Sequence, residues 1–176
     1  FITEERFNEI DSQFGSPKEN DILLTSVGTI GIPYIVKENE KFYFKDGNLT
    51  WFKNYKKIHP LFLYHWLLSS IGIESLKKIT IGSTQSALTI SGLRTIPILL
   101  PSIEEQKSIA QILTAFDNKI ELLQDQNKTL EETAQTIFTE WFGKYSIDDE
   151  QTDGWRIFQL NELVDIINGY SYKGSE

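Results

Sequence analysis

Residues 101–143 read PSIEEQKSIAQILTAFDNKIELLQDQNKTLEETAQTIFTEWFG, and this stretch decides the architecture. All five prolines lie at or before Pro101, and no glycine occurs between Gly92 and Gly143. Ser102 suits an N-cap, Glu105 three residues on completes a capping-box pattern, and Gly143 suits the position just past a helix end. The spacing predicts one helix over 103–142, about 60 Å long at 1.5 Å rise per residue and several times the usual globular length. Ile109, Phe116, Leu123, Leu130 and Ile137 recur every seven residues; Leu113, Ile120, Asn127, Ala134 and Trp141 do the same, offset by four. These are the d and a rows of a heptad pattern, with Asn127 a polar a residue of the kind that fixes register and partner number. Sustained heptads favour a coiled-coil interface over packing on the chain's own domain. Residues 1–100 offer no second helix of this length, so the partner helix is expected from outside that stretch.

Residues 1–101 read as strands and turns around one helix. Ile22 to Thr25 and Tyr34 to Val36 are strands either side of a tight Gly28-Thr29-Ile30-Gly31 turn. Lys41 to Lys45 and Leu49 to Phe52 flank Asp46-Gly47, a two-residue hairpin signal. His59-Pro60 opens an apolar helix running to about Ser70, with Gly72 as its stop. Ile79 to Ile81, Ala87 to Ile90 and Thr95 to Leu100 read as further short strands. The expected class is α+β: a β-rich domain with a buried helix over 1–101, then a heptad-patterned spacer helix over 102–142 forming a coiled coil. An acidic linker over 143–153 follows, then a new structured unit over 154–176 with Trp155, Ile157, Leu160, Leu163, Ile166 and Ile167 as its apolar residues.

Composition narrows the function. With 176 residues and 40% hydrophobic content the chain can bury a core. It has no cysteine, which removes disulfides, thiolate-bound zinc and a thiol nucleophile. His59 and His65 are the only histidines, so a histidine-rich metal site is not expected. No apolar run is long enough to span a bilayer, and the N-terminus lacks a signal-peptide layout, so a cytoplasmic location is expected. Methionine is absent, so Phe1 is read as lying inside a larger reading frame or as the product of processing. Charge is uneven: residues 1–100 hold 11 Lys+Arg against 10 Asp+Glu, residues 101–142 hold 3 against 8, and residues 143–176 hold 3 against 7. The acidic total argues against bulk nucleic-acid binding but leaves a basic face on the first hundred residues open.

No phosphate loop with a Lys-Ser/Thr ending and no nucleophile elbow is visible. Ile32-Pro33-Tyr34 is similar to the end of an amino-methyltransferase motif but lacks its Asn or Asp. Glu104-Glu105 and Glu131-Glu132 read as solvated helix charges. Nucleic-acid contact has more support. Lys41, Lys45 and Lys53 stand among aromatics and suit phosphate neutralisation. Asn48 and the loop residues Ser83, Thr84, Gln85 and Ser86 offer the amide and hydroxyl groups that read base edges. The plain alternative is that the aromatics are core and the lysines protect edge strands.

Asp21 to Gly31, here DILLTSVGTIG, resembles the GDILLTSxGTIG segment of specificity (S) subunits of type I restriction-modification systems. Phe42 to Trp51 resembles the strand-turn that follows it. Gly82-Ser83-Thr84-Gln85, then Ile96 to Pro101, then Glu104-Glu105-Gln106 resemble the family's passage into its conserved helix. Gly154-Trp155-Arg156 with Leu160, Leu163 and Asn168-Gly169-Tyr170 resembles the opening of a target-recognition domain. The resemblance implies two recognition domains per subunit, each followed by a long helix, the helices pairing antiparallel and setting the gap between two DNA half-sites. It implies a non-catalytic subunit that directs methyltransferase (M) and restriction (R) subunits, which bind S-adenosylmethionine, ATP and magnesium; no cofactor is expected in this chain. Its length departs from that pattern: the back of one recognition domain, one helix, and the front of the next. A half-length reader that dimerises through helix 103–142 is therefore expected, the tail completing a recognition domain in its own chain or a second copy. The competing reading is a coiled-coil adaptor with a β-rich scaffold and no DNA binding; a fused endonuclease ranks third.

Overall fold

The structure is a computed structural model describing residues 2–44, 47–82, 86–143, 154 and 156–169. The chain divides into two units, Phe1–Glu121 and Leu122–Glu176. In the first, α1 (Glu4–Phe14) precedes strands β1 (Ile22–Thr25), β2 (Pro33–Ile35) and β3 (Leu49–Phe52). Helices α2 (Pro60–Leu68), α3 (Ser70–Ile79) and α4 (Ile90–Leu93) follow, and α5 (Ile103–Phe142) begins in this unit.

The core is built on β1. It lies between β2 and β3, antiparallel to both, with Leu23 opposite Tyr34 on one side and Trp51 on the other. Ile22, Leu23 and Leu24 are all buried, so this strand is covered on both faces. Ile22 and Leu24 pack with Leu63 and Leu67 of α2, Leu76 of α3, and Leu88. α2 is apolar apart from Tyr64 and His65, and only its last residue, Leu68, is exposed, which fits a helix covered over most of its circumference. The β1–β2 connection turns through Gly28 and Gly31, both at positive φ, with the Gly31 N–H bonded to the Thr25 carbonyl.

The body is more helical than the sequence pattern suggests. In place of one helix stopped at Gly72 there are two, with Ser69 ending α2 and capping α3. Its hydroxyl donates to the Trp66 carbonyl and accepts from the Gly72 N–H. Gly72 is inside α3 because the helices approach so closely there: a Cβ would overlap the Trp66 carbonyl and lie 2.9 Å from Leu67 Cα. The expected strand at 79–81 is the end of α3 followed by a single bridge from Ile81 to Ala87. The strand expected at 87–90 reduces to that bridge and one from Val27 before α4 begins, and residues 95–100 form neither strand nor helix. The hairpin expected across Asp46-Gly47 is not formed: Lys41–Phe44 is in no strand and β3 pairs with β1 instead, while Lys45 and Asp46 lie outside the described residues.

The long helix has the expected bounds. Ser102 Oγ accepts from the Glu105 N–H at 3.2 Å, and the Gly143 N–H closes the last turn on the Thr139 carbonyl at 2.8 Å. The architecture is thus α+β, a small antiparallel sheet among helices with one exceptionally long helix. The second unit holds the remainder of α5 and the short α6 (Leu160–Leu163), capped by Gln159 and Glu162. Residues 156–169 are exposed throughout, apolar ones included. The expected linker, apart from Gly143, and Trp155 lie outside the described residues.

Gly72→Ala is the direct check on the α2–α3 corner. In an open helix this change gains about 1 kcal/mol; here overlap with the Trp66 carbonyl should reverse the sign, at about 1–3 kcal/mol or more. Urea denaturation followed by circular dichroism should show a lowered midpoint, and an unchanged or raised midpoint would contradict this packing.

Candidate nucleic-acid interface

The body gathers polar groups at one end of the sheet. The Ser26 N–H, just past β1, donates to the Asn48 carbonyl at 2.6 Å, and Ser26 Oγ meets Thr50 Oγ1 at 2.6 Å. The Gly28 N–H donates to the Ser86 carbonyl at 2.9 Å, and the Leu88 N–H to the Ser26 carbonyl at 2.8 Å. Ile81 and Ala87 exchange both backbone bonds, at 3.0 and 2.9 Å, which closes the loop between them. Asn48, Ser86, the loop ends at Gly82 and Ala87, and the exposed Thr29 therefore share one edge. Ser83, Thr84 and Gln85 lie outside the described residues, as does Lys45.

The lysines are not gathered with them. Lys53 is exposed at the opposite end of β3, its ammonium 3.7 Å from the Trp51 ring centroid. Five strand steps separate Asn48 from Lys53, about 17 Å at 3.3–3.4 Å per residue. Trp51 is itself fixed by its indole N–H, which donates to Asp21 at 2.8 Å. Lys41 is on the α1 side, where it pairs with Glu4 at 3.0 Å and lies 4.8 Å from the Phe7 ring. Lys37 reaches Glu121 of α5 at 2.7 Å. The lysines expected at phosphates are thus not on the edge that carries the amide and hydroxyl groups: Lys53 is exposed beside one end of the sheet and those groups lie at the other.

A third group of side chains roots α5. Gln106 and Ala110 are buried, the His65 ring lies 3.1 Å from Thr114 Oγ1 and 3.8 Å from Asp117, and Glu121 holds Lys37. Gln106, Ala110, Thr114, Asp117 and Glu121 form a stripe facing the body. At 100° per residue its centre is about 100° round the helix from the middle of the a and d rows, with Gln106 at the edge nearest them. Rooting the helix therefore leaves the heptad face uncovered: Leu113, Phe116, Ile120, Leu123, Leu130, Ile137 and Trp141 are exposed, as are Asn127 and Ala134, and Ile109 is half-buried. Heptad counting misses Gln106 and His65, because it ranks apolar residues and neither is one.

Both histidines sit at this root. Burial lowers the pKa of His65, with Asp117 pulling the other way; burial and then Lys107 lower that of His59, whose enclosed Nδ1 has no hydrogen-bond partner among the described residues. Among the described residues no group of three or more His, Asp or Glu is placed to hold a metal ion, and no helix is long and apolar enough to cross a membrane.

Residues 4–132 match the family described as the type I restriction modification DNA specificity domain, so the chain belongs to that family. It is 31% identical over 166 residues to the type I restriction enzyme MjaIX specificity subunit of Methanocaldococcus jannaschii, covering 84% of this chain and 36% of that one. Similarity to the type I restriction enzyme EcoBI specificity subunit of Escherichia coli is 35% over 118 residues, covering 64% and 25%. The HindI specificity subunit of Haemophilus influenzae matches at 29% over 129 residues, covering 71% and 28%. The chain spans about a third or less of the length of these relatives.

The histidines give a pH test with a definite sign. The unfolded chain takes up protons near pH 6.5, whereas the folded one resists until lower pH. Their contribution is therefore complete above about pH 6.5 and lost as pH falls through the lowered folded values. The urea midpoint should drop between pH 7.5 and 5.5, and His65→Gln should remove part of the drop; a flat or rising midpoint would contradict the assignment.

Proposed function

We propose that this chain reads one half of a bipartite DNA site for a type I restriction-modification complex. The observation that carries the reading is the family match across 4–132, which runs through both the polar end of the sheet and the root of α5. Asn48, Ser86 and the loop Ser83-Thr84-Gln85 read base edges, and Lys53, with Lys41 and Lys45 earlier in the chain, contacts phosphates. The chain catalyses nothing itself; methyltransferase and restriction subunits bring S-adenosylmethionine, ATP and magnesium.

The a and d rows of α5 pair antiparallel with a second copy of the helix, as a coiled coil with Asn127 setting register. What supports this is the exposure of those rows on a helix already rooted through another face. A symmetric pair prefers an inverted repeat, because the symmetry of the protein is mirrored in the site. Residues 154–176, by their resemblance to the opening of a recognition domain, complete such a domain in their own chain or the partner's.

Leu123 is 45% exposed, so Leu123→Glu spares the folded body while charging the seam. Light scattering should find dimers of the parent chain and monomers of the variant, with helicity retained; dimers of the variant would exclude this pairing. On DNA, the near-neutral first hundred residues imply few phosphate contacts. Fluorescence anisotropy should show sequence-selective binding that weakens with salt, with a log–log slope of about −2 to −5, or about −0.9 per phosphate neutralised. No binding at low salt would favour the adaptor reading.

A further inference from the structure

The hold of the body on α5 rests on few groups. Within this helix of 40 residues only Gln106 and Ala110 are fully buried. Gln106 is 1% exposed, and both N–H donors and the oxygen of its side-chain amide are bonded. Oε1 accepts from the His59 N–H at 2.9 Å, and Nε2 donates to the carbonyls of Lys57 at 3.2 Å and Pro101 at 3.0 Å. Lys57 and His59 are two residues apart, so the amide pairs with them as a neighbouring strand's peptide group would. That loop is tightly shaped, with Asn54 and Lys57 both at positive φ. His59 is the N-cap of α2 and makes no capping bond with its own side chain, so its backbone N–H is held by Gln106. One side chain thus joins the entrance of α2, the bend before it and the first turn of α5. The other polar links among the described residues are an imidazole–hydroxyl contact at Thr114, the His65–Asp117 approach and an exposed ion pair at Glu121, of which the last is a weak restraint.

We propose that Gln106 is the positioning residue that fixes the direction and rotational phase of α5 at the recognition body, and through them the gap between the two DNA half-sites. The consequence for DNA rests on the half-site reading above. A long helix amplifies error at its root. Over the 11 residues from Ala110 to Glu121, about 17 Å at 1.5 Å each, a swing of about 10° already moves the helix about 3 Å, close to one base-pair rise of about 3.4 Å. A sharply defined gap needs a root that holds angle as well as position, which three bonds from one planar amide supply.

Gln106→Met keeps the chain unbranched and removes all three bonds. Ser102→Ala, which loses only the cap of the same helix, is the control for plain destabilisation. With no native cysteine to interfere, spin labels at Glu19→Cys and at the exposed Asn118→Cys, diluted with unlabelled chain, report the body-to-helix distance within one copy. The distribution should be narrow for Gln106 and for Ser102→Ala, and broad for Gln106→Met. An unchanged distribution in Gln106→Met, or equal broadening in Ser102→Ala, would overturn the proposal.

On inverted half-sites with gaps varied by single base pairs, preference for the best gap should fall from about tenfold or more to about twofold or less in Gln106→Met. A retained gap preference would overturn the role of Gln106, while broadened distances without any DNA binding would overturn the half-site reading and leave that role standing. If Gln106→Met does not fold, the unmodified chain still decides. Exchange of the Gln106 side-chain amide protons, measured by NMR, should be at least about tenfold slower than that of the exposed Gln111, Gln124 and Gln126; equal rates would overturn the proposal.

Discussion

A buried primary amide is tolerated only when its hydrogen bonds are made, and Gln106 makes its three at separate points of the chain. Leaving any one unmade would cost about 1–3 kcal/mol, so the bend at Lys57, the start of α2 and the start of α5 are held together. The helix so fixed is not a peripheral one. Leu63 and Leu67 of α2 pack against Ile22 and Leu24 of β1. The chain of contact therefore runs from the root of α5 through α2 to the central strand, and from that strand to the polar groups at its end.

The same logic explains where those polar groups lie. β1 is buried on both faces, so functional side chains are excluded from it until the chain leaves the sheet at Ser26. There the backbone bonds of Ser26, Gly28 and Leu88 draw the β3 approach and the loop between Ile81 and Ala87 to one edge. The lysine at the far end of β3 is separated from this edge by the length of the strand. The aromatic residues among the lysines are divided between packing, as with Phe52 against the core, and support, as with Trp51 beneath Lys53.

How much of this was legible depended on whether a signal was local. The bounds of α5 were legible because breakers are absent between its ends and both ends carry their own capping chemistry. β1, β2 and β3 were legible within a residue or two. The region after α2 was not. Ile79-Thr80-Ile81 has a strand's composition, but close packing on α2 carries α3 as far as Ile79. Gly72 looked like a stop, yet its glycine is required by a helix–helix contact that no local pattern announces. α1 also went unread, although Thr3 caps it and Glu4 and Glu5 occupy its first turn. For the site, residue types suggested base and phosphate contacts, but their division between two ends of the sheet follows from β3 pairing with β1 instead of returning along Lys41–Phe44. Gln106 lies seven residues before Leu113, in line with the a row, where the heptad face meets the body; only the fold distinguishes that position from the seam.

If, as proposed, the recognition body and the rooted helix form one half of a symmetric DNA reader, the purified chain should select particular duplexes from a random library. Those duplexes should carry two inverted copies of one short sequence, separated by a fixed gap of unspecified bases. Enrichment of a lone half-site, of direct repeats, or of nothing above background would contradict the proposal.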